Sequence, residues 1–359
     1  MGDGAQTTTI DANQIDRVFH LIGDGQLTID ELTTTGGLAQ NGGAILMQRG
    51  LVNDFSESPT LIVRRSAIGG NRATSFGGAI HADGGTLTIE ESLLVQNSAA
   101  SGGAIYTKPT TSSAGELLPA TSQVTIKNST VSTNQATDAG GGLWISDLGE
   151  FTVIHSTIAK NTAFTAGGIL NDRGAVSLGH TIVAGNDGTS GNSDVDGAFT
   201  SLGHNLIGDV SGATGFEGAG DLVGNASVPL DPLLGILQDN GGATETHALL
   251  PASPAIDAGD ENISAAPLTD QRDQQSFGGI EVIFSRIADG SGNGSARIDI
   301  GAYERHRRTF TVNADEYSLN GVGTRNVVVS ENDQLLSVVV NDVTAVNAPI
   351  YDDTISILN

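Results

Sequence analysis

Five asparagines set a register that few folds can satisfy: Asn71, Asn97, Asn134, Asn161 and Asn186, at spacings of 26, 37, 27 and 25 residues. Ten residues before each begins an apolar–x–apolar triplet: Leu61-Ile62-Val63, Leu87-Thr88-Ile89, Val124-Thr125-Ile126, Phe151-Thr152-Val153 and Val176-Ser177-Leu178. Five residues before each stands a small hydroxyl, Ser66, Ser92, Ser129, Ser156 or Thr181. Three before each stands Ile68, Leu94, Val131, Ile158 or Val183. In the first four coils a Gly-Gly pair follows, then a second short apolar strand: Ala79-Ile80, Ala104-Ile105, Leu143-Trp144 and Ile169-Leu170. An earlier, less regular coil holds Leu27-Thr28-Ile29 and Ala44-Ile45.

Apolar alternation with period two marks short strands with one buried face. None is long enough to stand alone, and near-constant coil length places equivalent strands side by side, parallel and ~4.8 Å apart. Apolar columns then merge into one core, the arrangement of a repeat protein. Asparagine tolerates left-handed turn conformations, and stacked asparagines hydrogen-bond along such a ladder. The template therefore predicts an all-β chain, a right-handed parallel β-helix, with one excursion from Lys108 to Ser122 inside the 37-residue interval. Counting from the glycine pairs, Ile80, Ile105, Trp144 and Leu170 are expected to point inward, with His81, Tyr106 and Asn171 outward. An α-solenoid is excluded by the period, and a propeller blade needs about 40 residues or more.

Composition agrees with a solenoid. Glycine reaches 49 of 359 residues while aromatics are only 4%, and 38% hydrophobic residues are too many for a disordered chain. Sixteen basic against 41 acidic residues give a net charge of −25, a field that repels nucleic acid and anionic membrane. Divalent cations and neutral or cationic surfaces remain as partners, beside plain solubility. There is no cysteine, which excludes disulfides and thiolate metal sites. No apolar run approaches the ~18 residues of a membrane span. Met1-Gly2-Asp3-Gly4 has neither a basic nor an apolar leader region, so a secretion signal is expected upstream.

The coils Leu87 to Ile105 and Val124 to Trp144 resemble those of bacterial β-helix proteins related to the polymorphic outer-membrane protein group. A second stretch resembles the choice-of-anchor Q domain that closes many such helices. It runs through Leu230-Asp231-Pro232-Leu233-Leu234-Gly235, His247-Ala248-Leu249-Leu250-Pro251 and Ser253-Pro254-Ala255-Ile256-Asp257 to Thr269-Asp270-Gln271-Arg272 and Asp299-Ile300-Gly301-Ala302-Tyr303-Glu304. The resemblance implies surface location rather than a reaction. After Glu304, the order Ala314-Asp315-Glu316-Tyr317, Val340-Asn341-Asp342 and Asp353-Thr354-Ile355 resembles the start of a cadherin-like or Ig-like sandwich repeat, and the chain is expected to stop partway through it. The expected organisation is therefore coils over 1–200, irregular terminal coils and a cap over 201–304, and a partial sandwich over 305–359. No recognisable cap precedes Thr7.

Parallel β-helices host polysaccharide lyases and hydrolases, which need a base beside cation-binding carboxylates or two carboxylates facing across a cleft. One outward column reads Arg64, Glu90, Lys127, Ile154 and Gly179, the alternating signs of a surface ion-pair ladder. The next reads Arg65, Glu91, Asn128, His155 and His180, where two imidazoles on adjacent coils are a candidate metal pair. Asp187, Asp194 and Asp196 lie in an oxygen-rich turn and are candidate calcium ligands, with a similar segment from Asp289 to Asn293. An ordinary polar loop is the competing reading, since the full calcium-loop pattern is missing. The expected function is a non-enzymatic scaffold or adhesin-type module of a large bacterial cell-surface protein, offering corner loops to a glycan or surface protein. Two alternatives stand beside it: a carbohydrate-active lyase or hydrolase, and a filament or surface-layer subunit that self-associates through solenoid ends.

Overall fold

A computed structural model describes residues 5–50, 57–108, 122–146, 148–191, 194–260, 267–277, 280–288, 291, 295–306, 309–313, 325–331, 334–340 and 354–358. The expected excursion (109–121), most of the segment 289–293, and residues 314–317 and 341–342 of the sandwich resemblance lie outside them.

A regular coil has four short strands. Thr60–Arg64 leads through a turn at Arg65 to Ala67–Gly69, then past Asn71 to Arg72–Phe76, then through Gly77-Gly78 to Ile80–Asp83, after which Gly85–Glu90 starts the next coil. Stacked coils give a nine-stranded and a six-stranded parallel sheet, while the other two strand positions join in a thirteen-stranded sheet because Ile169–Gly179 runs through both. Parallel stacking continues past residue 200, where Leu206–Ile207 pairs with Ile182–Val183 and Leu222–Val223 pairs with Leu206–Ile207. The architecture is the all-β parallel solenoid that the repeat predicts. Among the described residues no helix is long and apolar enough to cross a membrane.

The triplet columns stack as read from the repeat: Leu61 pairs with Leu87, Leu87 with Val124, Val124 with Phe151 and Phe151 with Val176. These residues and Ile68, Leu94, Val131, Ile158 and Val183 form the interior. Burying one such side chain stabilises by about 1.5–3 kcal/mol.

The register after the glycines differs from the expectation in two coils. Ile80 pairs with Ile105, Ile105 with Leu143 and Leu143 with Ile169, so Leu143 and Ile169 are the inward residues. Trp144 and Leu170 fall on the outward phase with His81 and Tyr106, while Asn171 joins Ile145 on the inward phase. The turn is marked by its positive-φ position, which Gly77, Gly102 and Gly140 occupy at φ 64°, 65° and 62°. A Cβ at Gly140 would stand 2.6 Å from the Leu143 carbonyl oxygen. Coil three has a third glycine, Gly142, in the place of Ala79 and Ala104; coil four puts Ala166, at φ 50°, in the turn. Pairing by glycine dipeptides therefore slips by one residue, which moves a side chain to the other face.

From Leu230 the chain turns back along the flank of the nine-stranded sheet instead of extending the stack. The Leu230 N–H bonds the Gly208 carbonyl, the Ala302 N–H bonds Thr157 Oγ1 at 3.0 Å, and Thr130 Oγ1 donates to Gln271 at 2.6 Å. Two antiparallel pairs, Leu234–Gln238 with Thr246–Leu249 and Thr269–Phe277 with Ile280–Ser285, belong to this flanking segment. Farther on, Thr309–Asn313 pairs in parallel with Thr354–Leu358, and Arg325–Glu331 pairs antiparallel with Gln334–Val340.

Candidate functional site

In-register stacking turns one outward position per coil into a column. After the glycine corner that column reads His20, Leu46, His81, Tyr106, Trp144, Leu170 and Asp196. It brings Tyr106 and the single tryptophan together in a chain poor in aromatics. His81 and Tyr106 stack with centroids 5.3 Å apart, and Tyr106 meets Trp144 edge-on at 5.5 Å. Phe76, from the preceding strand, closes over this row, 4.5 Å from Tyr106 and 6.1 Å from His81. His81 and Tyr106 are thereby 3% and 7% exposed, while Phe76, Trp144 and Leu170 remain half-exposed.

The polar atoms of this strip are incompletely matched. His81 Nδ1 and Trp144 Nε1 are buried and have no hydrogen-bond partner, and the same holds for Asp83 Oδ1 and Asn41 Oδ1. Lys108 Nζ lies 3.5 Å from Asp83 at the border. Burial, then Lys108 and Arg17, push the His81 imidazole down to about 3, so it is neutral at physiological pH. A partly exposed indole can stack its ring on an apolar face. Sugars present such a face.

The charged columns are placed as read. Arg64 Nε bonds Glu90 at 3.0 Å, and Lys127 follows in register on the next coil. Beside it Arg65 holds Asp30 at 2.7 Å and Glu31 at 3.1 Å, with Glu91 3.9 Å away. Burial, then Asp273, pushes the Glu91 carboxyl up to about 7. These charges occupy the strand that follows the aromatic one, beyond the next corner.

The three candidate calcium ligands occupy different parts of the coil. Asp194 is 2% exposed, and its Oδ1 accepts from both the backbone N–H and Nδ2 of Asn186, at 2.9 and 2.8 Å. Burial pushes it up to about 6 against those hydrogen bonds. Asp187 is exposed on the six-stranded sheet, and Asp196 pairs with Leu170 in the aromatic column. His155 and His180 do stack, at 4.8 Å, and a third imidazole extends the row, His204 at 5.0 Å. The sequence hid His204 because the coil containing it carries no asparagine of the register. Among the described residues no group of three or more His, Asp or Glu side chains is placed to hold a metal ion.

The distinctive C-terminal motifs form a buried polar clasp. Asp270 accepts from Arg272 Nε at 2.9 Å, and the Arg272 guanidinium sits over the Tyr303 and Phe284 rings at 4.0 and 4.3 Å. Asp299 accepts from the Asp257 and Arg305 N–H groups at 2.6 and 2.7 Å, and Glu304 accepts from the Asp299 N–H at 3.0 Å. Burial raises both acids, Asp299 to about 7 and Glu304 well above its usual range. Arg286, fully buried, reaches out of the clasp to Asn128 Oδ1 and the His155 carbonyl. Asp270, Arg272, Arg286, Asp299 and Glu304 are all sealed from solvent, so the motif holds the flanking segment together and onto the solenoid.

The family model described as a right handed beta helix region matches residues 2–187. No curated protein and no solved structure matches the chain.

Proposed function

This chain belongs to the right-handed β-helix family, and we propose that it is a non-enzymatic, extracellular scaffold that presents Phe76 and Trp144, backed by the buried Tyr106 ring, to a neutral glycan. The fold alone leaves activity open, because β-helices carry both enzymes and binding modules. One observation carries the reading: the single tryptophan faces outward and partly exposed, beside two other aromatic rings. Aromatic platforms recognise sugar faces through area and orientation, and a rigid parallel sheet holds them at fixed spacing, which lowers the ordering cost of binding. The strongly perturbed acids Asp299 and Glu304 are sealed in the clasp, out of reach of substrate.

A carbohydrate-active enzyme is the second reading. It draws on a cavity of about 720 Å³ between the solenoid and residues 229–234, lined by Lys160, Asp194, Asp209 and Asp231. Burial raises Asp194 to about 6, the direction in which a general acid is tuned. Its Oδ1 is nevertheless the hydrogen-bonding end of a structural ladder.

Glycan-array binding by the wild type and by Trp144→Ala and Asp209→Asn separates the two. The scaffold reading expects binding that is lost in Trp144→Ala and kept in Asp209→Asn. Binding indifferent to Trp144, or product formation that needs Asp209, refutes it.

A further inference from the structure

Four of the seven histidines lie along the contact between the flanking segment and the solenoid. Three form the imidazole row His155, His180 and His204, with centroids 4.8 and 5.0 Å apart. All three stand at the positive-φ turn that leads into the nine-stranded sheet, at φ 49°, 49° and 53°. The fourth, His247, comes from the docked segment. His180 Nε2 accepts the Asp260 N–H at 2.9 Å, His204 Nδ1 bonds the Ala258 carbonyl at 2.7 Å, and His247 bridges Ser132 Oγ at 2.9 Å and the Gly235 carbonyl at 2.8 Å.

We propose that this contact is an acid-released clasp: protonation of His155 and His180 detaches the flanking segment from the solenoid while the coils stay folded. The geometry supplies three reasons. The Asp260 N–H already points at His180 Nε2, so a proton there sets donor against donor. Cationic imidazoles at His155 and His180, 4.8 Å apart and both buried, repel each other with little solvent screening. Arg286, the fully buried cation that ties the segment to Asn128, lies against the His155 carbonyl and adds to that repulsion. His155 and His180 are 1% and 0% exposed, and their Nδ1 atoms have no partner to share an added proton.

The charged groups around the row fix the direction. His155 faces Arg286, His180 and Lys127; His180 faces His204, Arg286 and one acid, Asp260; His247 faces Lys160. Burial first, then these cations, lowers His155; burial, then His204 and Arg286, lowers His180 to about 4. Burial likewise lowers His247. A depressed histidine contributes docking stability that is fully present above its free value of about 6.5. That stability is lost as pH falls toward the folded value, by up to tenfold per pH unit for each group. Asp299 and Glu304, inside the docked segment, act with the opposite sign. Both are raised, so their contribution is present at low pH and is lost as pH climbs through about 7 for Asp299. The two windows overlap between about pH 4 and 6.5 and oppose each other, so the histidine share is read against a variant that removes it.

Hydrogen exchange on the full chain reads this amide by amide. The N–H groups of Asp260, Gly301 and Ala302 bond His180 Nε2, the His180 carbonyl and Thr157 Oγ1, and so report docking; those of Asn97 and Asn134 report the coils. After correction for intrinsic rates, the docking amides of the wild type are expected to lose at least tenfold more protection between pH 7 and pH 5 than those of His180→Gln, with Asn97 and Asn134 unchanged. His180→Gln keeps an acceptor for Asp260 but cannot titrate, so the acids Asp299 and Glu304 act alike in both chains. A pH dependence that the variant reproduces in full overturns the proposal. If His180→Gln fails to dock at pH 7, imidazole titration of the wild type by NMR decides. The clasp requires His180 to titrate only as docking protection is lost; ordinary titration with protection intact rejects it.

Discussion

Asn186 Nδ2 donates to Asp194 Oδ1 at 2.8 Å, and with that bond the asparagine ladder ends. Above it Asn71 donates to Asn97, Asn97 to Asn134, Asn134 to Asn161 and Asn161 to Asn186, each at 2.9–3.0 Å. The ladder is directional, since every amide donates one way and accepts from the other. Its last member needs an acceptor that has no donor of its own to place, and a carboxylate meets that need. The serine column ends the same way, with Thr181 donating to Asn205 and Asn205 to Asp221.

Asp194→Ala removes the acceptor for two buried donors of Asn186, each costing about 1–3 kcal/mol when left unmatched. Thermal melting is expected to fall by several degrees, while Asp187→Ala, at an exposed position, shifts stability within about 0.5 kcal/mol. Equal melting temperatures for the two variants contradict the ladder-end role.

The raised Asp194 also predicts a pH effect. Its contribution to stability is present at low pH and is lost as pH rises through about 6. Asp194→Asn cannot titrate, so denaturant midpoints measured from pH 4.5 to 7.5 should lose that component relative to the wild type. A wild-type profile matched by the variant contradicts the assignment.

The corrected register is tested by neighbouring residues. Leu143→Asp puts an unpaired charge in the core and is expected to prevent folding, whereas Trp144→Asp replaces an outward, half-exposed side chain and should leave a folded chain. Circular dichroism and denaturant melts check both. Unfolding by Trp144→Asp with Leu143→Asp tolerated restores the discarded register.

The buried clasp predicts an asymmetry. Asp270→Ala leaves the Arg272 guanidinium sealed without its carboxylate and should cost about 3–5 kcal/mol. The exposed ladder should matter little: Arg64→Ala, Glu90→Ala and Lys127→Ala together change stability by about 1 kcal/mol or less. Denaturant midpoints of comparable size for the two variants contradict this ranking.

The solenoid could be read from the chain because every coil repeats the same local solution. The columns through Leu87, Ser92, Leu94 and Asn97 needed only a period and an alternation. Trp144 was misplaced because glycine pairs are a poor ruler where Gly140-Gly141-Gly142 offers two choices and Ala166 replaces glycine in the turn. That one-residue slip hid the aromatic strip, since it sent the tryptophan into the core. The flanking dock was invisible for another reason. Asn128 with Arg286 and Thr130 with Gln271 are separated by 158 and 141 residues, and such contacts leave no periodic trace. The Asp270, Arg272 and Glu304 motifs were recognisable as a pattern, but their chemistry became readable only when folding brought them together.

The single tryptophan makes the central claim directly measurable. Its fluorescence can be followed while neutral oligosaccharides are titrated in, with reducing ends assayed in the same samples. The account predicts a saturable change in Trp144 emission with no new reducing ends. Emission unchanged across the whole panel, or reducing ends that appear and are lost in the Asp209→Asn variant, would contradict it.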